Sequence, residues 1–412
     1  MIRKYAILAL LMIFSSCQKS IDPNDVVLKF YGDVYEDIGY SVAKTGNGYV
    51  IAGQLTVVTR PKPNYIDDAS VNNKKMGVIK TGTDGNVIWK KSFGDSTAVG
   101  SKVLVLDDGS IVCTGYVTNT GTQNDIFVVK LDANGTSLIQ KTYASAGNQY
   151  GTDIIKTSEG FMILGSTDVA RVPVTDSIGN AAGKKDILIL RVDNNLEQLG
   201  STVAGYPGND IGVAIKPDIN NIEGGYIVIG TTDRSEPNTG QAGNNIFISK
   251  VTLLGDFVKP RIIGKADDEY AAGLEVTDDG YIVPVTKGAE GTTQTGFILK
   301  IPYNIFSTPV FGPDIVLATA SAGTSYSINA ISKYKTNSFV LAGQTGTGTL
   351  AKMLILVVNA DGSQVEGKEK ITGGTGSQIA YDVISDTDDY IIAVGANSYE
   401  NNSMISLLKF RF

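Results

Sequence analysis

Seven short apolar runs punctuate the chain: GYVIAG (48–53), GSIVCTG (109–115), GFMILG (160–165), GYIVIG (225–230), GYIVPV (280–285), SFVLAG (338–343) and DYIIAVG (389–395). Each is rich in β-branched residues, bounded by glycine or turn residues, and too short for a helix, so each reads as a strand. They recur at spacings of 51 to 65 residues. A recurring unit of this order signals a repeat architecture rather than a set of unrelated domains.

The repeat extends on both sides of each run. Upstream lies another strand with a small residue at one fixed place: Gly39, Gly100, Gly151, Gly212, Ala271, Ser327 and Ala380. Downstream, after a connection of variable length, comes a third strand: GVIK (77–80), IFVVK (126–130), ILILR (187–191), IFISK (246–250), GFILK (296–300), MLILVV (353–358) and ISLLK (405–409). Tight turns such as TDGN, DANG and NADG follow, and Asp-Gly and Asn-Gly suit the positive φ angles of hairpins. A fourth strand then leads to the next repeat.

Four antiparallel strands repeated seven times predict an all-β chain folded as a seven-bladed β-propeller. The small-residue column fits innermost strands that crowd around one axis. The last repeat stops at its third strand, MISLLKFRF (404–412), whereas DVVLKFYGD (25–33) is a fourth strand with no repeat before it. The N-terminal segment is therefore expected to close the ring by pairing with the C-terminal blade, which leaves that blade without an open edge. Blade five is the irregular one. Pro284 falls in its second strand, where proline predicts a bulge or local break, and IPYNIFSTPVFGPD (301–314) has no strand pattern.

Composition narrows the chemistry. The chain of 412 residues contains no histidine, which removes Ser-His-Asp and Cys-His nucleophile activation and His-ligated metal sites. Neither a metal nor a cofactor is expected. The net charge is −7, or −9 without Arg3 and Lys4, and no Lys/Arg block appears. Nucleic-acid binding rests on phosphate neutralisation, so nucleic acid is not an expected partner.

The first sixteen residues carry Arg3 and Lys4, an apolar run from Tyr5 to Phe14 and then small residues, the layout of a secretory signal too short to span a bilayer. Phe14-Ser15-Ser16-Cys17 resembles a bacterial lipobox, in which the cysteine becomes the first mature residue and carries acyl chains. That resemblance implies a signal peptide over 1–16, a lipidated Cys17 with a short tether over 17–24, and one propeller domain over 25–412. Gln18 follows the cysteine, without the aspartate that retains some lipoproteins in the inner membrane, so the resemblance implies the outer membrane, on its periplasmic or its surface side. Cys113 lies in a strand-like run and reads as a buried small hydrophobe.

Loop lengths are unequal. The second-to-third-strand connections 54–75, 166–185 and 231–244 are long, and by strand alternation they share one face with the connections between blades. Binding is commonly carried by loops on a rigid scaffold. Arg60, Lys62 and Tyr65 in the first long loop are candidate partner contacts. Polar residues just before the small-residue column are expected to gather at the mouth of the central channel: Asp37, Gln149, Asp210, Glu269, Ser325 and Gln378, with Ala98 the exception. Such a rim suits solvent, a cation, a sugar or a basic peptide, or hydrolysis by paired carboxylates. The recurring base Lys80, Lys130, Arg191, Lys250, Lys300 and Lys409 is read as ending its strand and pairing with a neighbouring carboxylate. Asp84, Asp132 and Asp361 are read as turn formers rather than calcium ligands.

The repeat, with its DG-[YF]-[IV]-x-x-G core, resembles propeller repeats in secreted and lipid-anchored proteins of Bacteroidetes-type bacteria over nearly the whole mature chain. It is more distantly similar to the propeller scaffold lipoprotein of the outer-membrane assembly machine. That likeness implies a non-catalytic, lipid-anchored scaffold docking on an outer-membrane complex, either an assembly machine or a TonB-dependent transporter. A surface glycan- or peptide-binding accessory protein and a carboxylate-dependent polysaccharide hydrolase or lyase remain as alternatives. Quinoprotein propellers are similar too, but they rely on repeated tryptophans, and this chain has only Trp89.

Overall fold

In a computed structural model the seven apolar runs become the second strands of seven four-stranded antiparallel sheets arranged as propeller blades. The structure describes residues 26–412 except 33–34, 59–71, 96, 120–122, 170–184, 207, 221–223, 234–242, 265–267, 289–291, 308–314, 317–324, 387–388 and 401. In chain order, the innermost strands of blades one to four begin at Ile38, Ala98, Gln149 and Asp210. Those of blades five to seven begin at Glu269, Tyr326 and Ser377.

The ring closes as the sequence predicts. Val27–Tyr31 pairs antiparallel with the third strand of blade seven, Asn402–Phe410, from Val27 opposite Lys409 to Tyr31 opposite Ile405. Tyr31 is buried, and its hydroxyl donates to the carbonyl of Gly85 in blade one at 2.7 Å. The clasp therefore completes one blade and touches the next.

Burial lies between blades, because a strand in the middle of a blade is covered on both faces by its neighbours. Val50, Met76 and Val78 of blade one pack with Val103, Cys113 and Phe127 of blade two. Cys113 is a free, buried thiol in that layer, and burial pushes its pKa up. The same layering accounts for strands that are buried along their whole length, such as Gly160–Thr167.

The small-residue column has a different physical cause from the one expected. A Cβ on Gly100 would sit 3.3 Å from the amide nitrogen of Gly53 in the preceding blade, and one on Gly151 would sit 3.0 Å from the carbonyl of Gly115. The crowding is thus against the second strand of the neighbouring blade, not at the axis. In blade six the column is held by Ile328, which pairs with Gly343 as Gly39 pairs with Gly53. Ser327 is one position out of register with the other six.

Blade five departs from the others at Pro284, though not where the sequence suggested. Its second strand, Gly280–Lys287, runs through the proline unbroken. The break falls in the innermost strand, which splits into Glu269–Ala271 and Glu275–Thr277. Ala272 donates its N–H to the Pro284 carbonyl at 2.9 Å, so that carbonyl faces the innermost strand. The N–H that proline lacks would face the same way, and the inner strand parts opposite the missing donor.

Candidate functional site

In six blades the small-residue column is followed by a β-bulge, at Tyr40, Ser101, Thr152, Val213, Asn329 and Tyr381. A bulge inserts one extra residue and re-aims its side chain. All six bulge residues line a single central cavity of about 760 Å³. Tyr116, Tyr270, Gln294, Ser327 and Gln344 line it as well, and no lining residue is charged.

Four tyrosines, Tyr40, Tyr116, Tyr270 and Tyr381, stand in its wall. The rings of Tyr40 and Tyr381 lie 5.2 Å apart at 53°, and Tyr116 meets Tyr150 edge-on at 5.1 Å. Burial is the main cause that raises the pKa values of the Tyr40 and Tyr381 hydroxyls. Asn244 fixes Tyr270 by donating its amide to the tyrosine hydroxyl at 2.9 Å, and Asn124 does the same for Tyr150 at 2.8 Å. These two Asn–Tyr pairs join the start of one blade's third strand to the innermost strand of the next.

Past the small-residue column, the innermost strands carry paired charges. Lys102 Nζ lies 3.1 Å from Asp382 Oδ2, which also accepts from Ser41 Oγ at 2.9 Å and from the Val42 amide at 3.0 Å. Asp153 accepts from the amides of Ile154 and Ile215, both at 2.9 Å; burial raises its pKa and Lys102 opposes that rise. Lys216 and Glu275 pair at 3.1 Å. These ion pairs link strands of different blades.

The polar residues singled out before the small-residue column lie one layer back from the cavity, in the joints between blades; none lines it. Asp37 is buried and accepts from the Thr56 amide at 2.6 Å. Asp210 is fully buried and accepts from the Tyr206 amide at 2.7 Å. Burial, and secondarily the carboxylates of Asp186 and Asp233, push its pKa up to about 7. Glu269 is buried and donates its backbone N–H to Asn244 O at 2.8 Å. The Gln378 side chain donates to Asn397 Oδ1 at 2.7 Å, Gln149 donates to Ser145 Oγ at 2.6 Å, and Ser325 Oγ accepts from the Gln294 amide at 3.0 Å. Backbone N–H groups of Asp37, Asp210, Glu269 and Gln378 donate to Ser403, Lys185, Asn244 and Ala351 of the preceding blade. Tyr326, not Ser325, makes that bond in blade six. Arg60, Lys62, Tyr65 and Cys17 lie outside the described residues.

The recurring base also acts between blades. Lys80 donates to the carbonyl of Ala133 at 2.8 Å, Lys130 to Asn194 at 2.9 Å and Arg191 to Leu254 at 3.1 Å, each in the outer hairpin turn of the next blade. Among the described residues, backbone carbonyls thus take the place of the expected carboxylate for Lys80, Lys130 and Lys409, whereas Arg191, Lys250 and Lys300 pair with Glu159, Asp218 and Asp279 as expected. Asp84, Asp132 and Asp361 each accept from the amide two residues on; their pKa values are held low chiefly by the Asn86 amide, the Thr136 amide and the Ser363 hydroxyl respectively, in keeping with turn chemistry.

No protein-family model matches the chain, and no curated protein matches it. Among solved structures it is similar to a puromycin hydrolase mutant complexed with PGG, with TM-score 0.51 and 12% identity, over 88% of this chain and 50% of that one. It is also similar to Raptor from Chaetomium thermophilum, with TM-score 0.51 and 8% identity, over 94% of this chain and 29% of that one. A protein of unknown function from Dyadobacter fermentans aligns over 95% of this chain and 100% of its own, with TM-score 0.49 and 15% identity. The chain therefore spans half or less of the first two. At these identities the likeness is one of fold alone.

Proposed function

We propose that the chain is a lipid-anchored, non-catalytic propeller scaffold that docks on an outer-membrane protein complex or a TonB-dependent transporter through its long-loop face. The observation that supports this reading is the clasp. Only eight residues separate Cys17 from Val26, where the described chain enters the last blade. Fully extended, that tether reaches about 30 Å. A lipidated Cys17 would keep the ring against the bilayer, and tethering raises the effective concentration for membrane-bound partners over soluble ones.

The test is extraction of the lipidated protein in mild detergent, followed by identification of co-purifying proteins. A defined outer-membrane complex is expected in the eluate. Repeated recovery of the chain alone would sink the docking reading.

The accessory-binding reading is favoured by a separate observation, the uncharged tyrosine-lined cavity. A carboxylate-dependent hydrolase needs two acids facing one space. Asp37, Asp210 and Glu269 are at most 3% exposed, and none lines the cavity, so the residues that motivated that reading no longer support it.

A further inference from the structure

We infer that the central cavity is a binding site for a neutral carbohydrate. The inference goes beyond the docking reading and does not depend on it, because the cavity lies inside the ring rather than on its loops.

Three properties of the wall converge on this ligand class. The first is size: about 760 Å³ falls within the range of small-ligand sites, roughly 300–1,000 Å³. The second is the pairing of flat rings with unused hydrogen-bonding groups. Tyr40, Tyr116 and Tyr381 line the space, and the π face of a tyrosine ring is electron-rich and attracts the slightly positive C–H faces of a pyranose ring. Their hydroxyls make no hydrogen bond to any described residue, and neither do the side chains of Ser101, Ser327 and Gln344. Hydroxyl and amide groups both donate and accept, as the hydroxyls of a sugar require. Six side chains with open hydrogen-bonding capacity around one space are an arrangement that a ligand can satisfy.

The third property is charge. None of the lining residues is ionised at neutral pH. A uronic acid, a sialic acid or a charged peptide would lose its hydration on entry and find no counter-charge on the wall. Lys102 and Asp382, which follow the lining residues Ser101 and Tyr381, pair with each other. A neutral sugar meets no such penalty, so the wall selects against charged glycans as well as for sugar rings. The bulges add rigidity: Thr152 is held by the Gly212 carbonyl at 2.8 Å, and Asn329 donates to the Ala380 carbonyl at 2.8 Å. Two of the six bulge side chains are thus fixed before any ligand arrives.

The test uses the full chain in a detergent without a sugar headgroup. Calorimetry is run with maltotetraose, cellotetraose, mannotetraose and chitotetraose as neutral probes, trigalacturonate as the charged one, and a blocked uncharged tetrapeptide. At least one neutral probe is expected to bind, and trigalacturonate to bind at least tenfold more weakly. Tyr381→Ala should weaken the neutral probe tenfold or more; Tyr381→Phe, which keeps the ring, should weaken it about threefold or less. Gln344→Ala should also weaken it, and thermal melts establish that each variant is folded. The inference is overturned if no neutral probe binds, if Tyr381→Ala leaves binding unchanged, or if the peptide or trigalacturonate is the ligand that these variants lose. None of those outcomes bears on the docking reading, which stands or falls on co-purification.

Discussion

Lys409 Nζ donates to the carbonyl oxygen of Thr83 at 3.0 Å, joining the last blade to the outer hairpin of the first across 326 residues of chain. The same joint recurs at Lys80, Lys130 and Arg191, so in four of the seven repeats a basic residue ties its blade to the next. At Lys409 the tie closes the ring. It is also the most enclosed of these four, at 8% exposure, with the Tyr390 ring centroid 4.0 Å from the ammonium.

Lys409→Met removes the donor and leaves the Thr83 carbonyl without it. A hydrogen bond from a charged donor contributes about 1.5–3 kcal/mol, so a loss of that size is expected in urea or thermal unfolding. Lys130→Met makes the same change at a more exposed joint and should cost less. Equal losses at both sites would show that burial at the closure does not set the strength of the tie.

The clasp predicts a different kind of failure. Deleting residues 26–31 leaves the strand Asn402–Phe410 as an open edge, and unpaired edges template aggregation. The expected outcome is a low yield of monomer on gel filtration, together with a lower melting temperature. Tyr31→Phe removes only the bond to Gly85 and should cost about 1 kcal/mol while the protein stays monomeric. A deletion variant that is monomeric and melts like the intact chain would refute a structural role for the clasp.

The blades and their closure were legible because burial between blades imposes a repeated apolar run, and hairpins demand turn residues at fixed offsets. The cavity was much harder to read. Asp37 and Asp210 stand in the right part of the innermost strands, yet the cavity is lined by the residues immediately before and after the small-residue column, as Val99 and Ser101 flank Gly100 and Ile379 and Tyr381 flank Ala380. Tyr40, Tyr270 and Tyr381, at nearly the same offset in three repeats, were the available signal. Blade six shows the same limit, since Ser327 looks like the small residue whereas Ile328 occupies its place. Polar side chains buried between blades look the same in sequence as polar side chains at a channel mouth.

Close approach of blades gives a third prediction. A Cβ at Gly151 would meet Thr114 Oγ1 at 2.6 Å and the Gly115 carbonyl at 3.0 Å, both in the preceding blade. Gly151→Ala is expected to cost about 1–3 kcal/mol, the usual range for overpacking. At Gly46, in a turn, a Cβ meets nothing within 4 Å, so Gly46→Ala should change stability by less than about 0.5 kcal/mol. Paired urea titrations decide the matter, and similar midpoints for the two variants would rule out the inter-blade clash.

Asp210 gives the stability of the ring a dependence on pH with a definite sign. Its carboxyl is fully buried, Oδ1 has no hydrogen-bond partner among the described residues, and its pKa is pushed up to about 7 from an ordinary 3.8. Below about pH 4 the folded and unfolded chains both hold this proton. Between about pH 4 and 7 the folded chain keeps a proton that the unfolded chain has released, so stability falls as pH rises, by up to about 1.4 kcal/mol per unit. Above pH 7 both forms are ionised and the contribution is flat. Asp210→Asn keeps an oxygen for the Tyr206 amide but has no charge to bury. Its stability relative to wild type should therefore improve between pH 5 and pH 8, with the variant the more stable protein at pH 8. Taking the difference between the two proteins at each pH removes the titration of the remaining carboxylates, apart from any coupling to Asp186 and Asp233. A difference that is the same at both pH values, or that moves against Asp210→Asn as pH rises, would mean that Asp210 is not the titrating group.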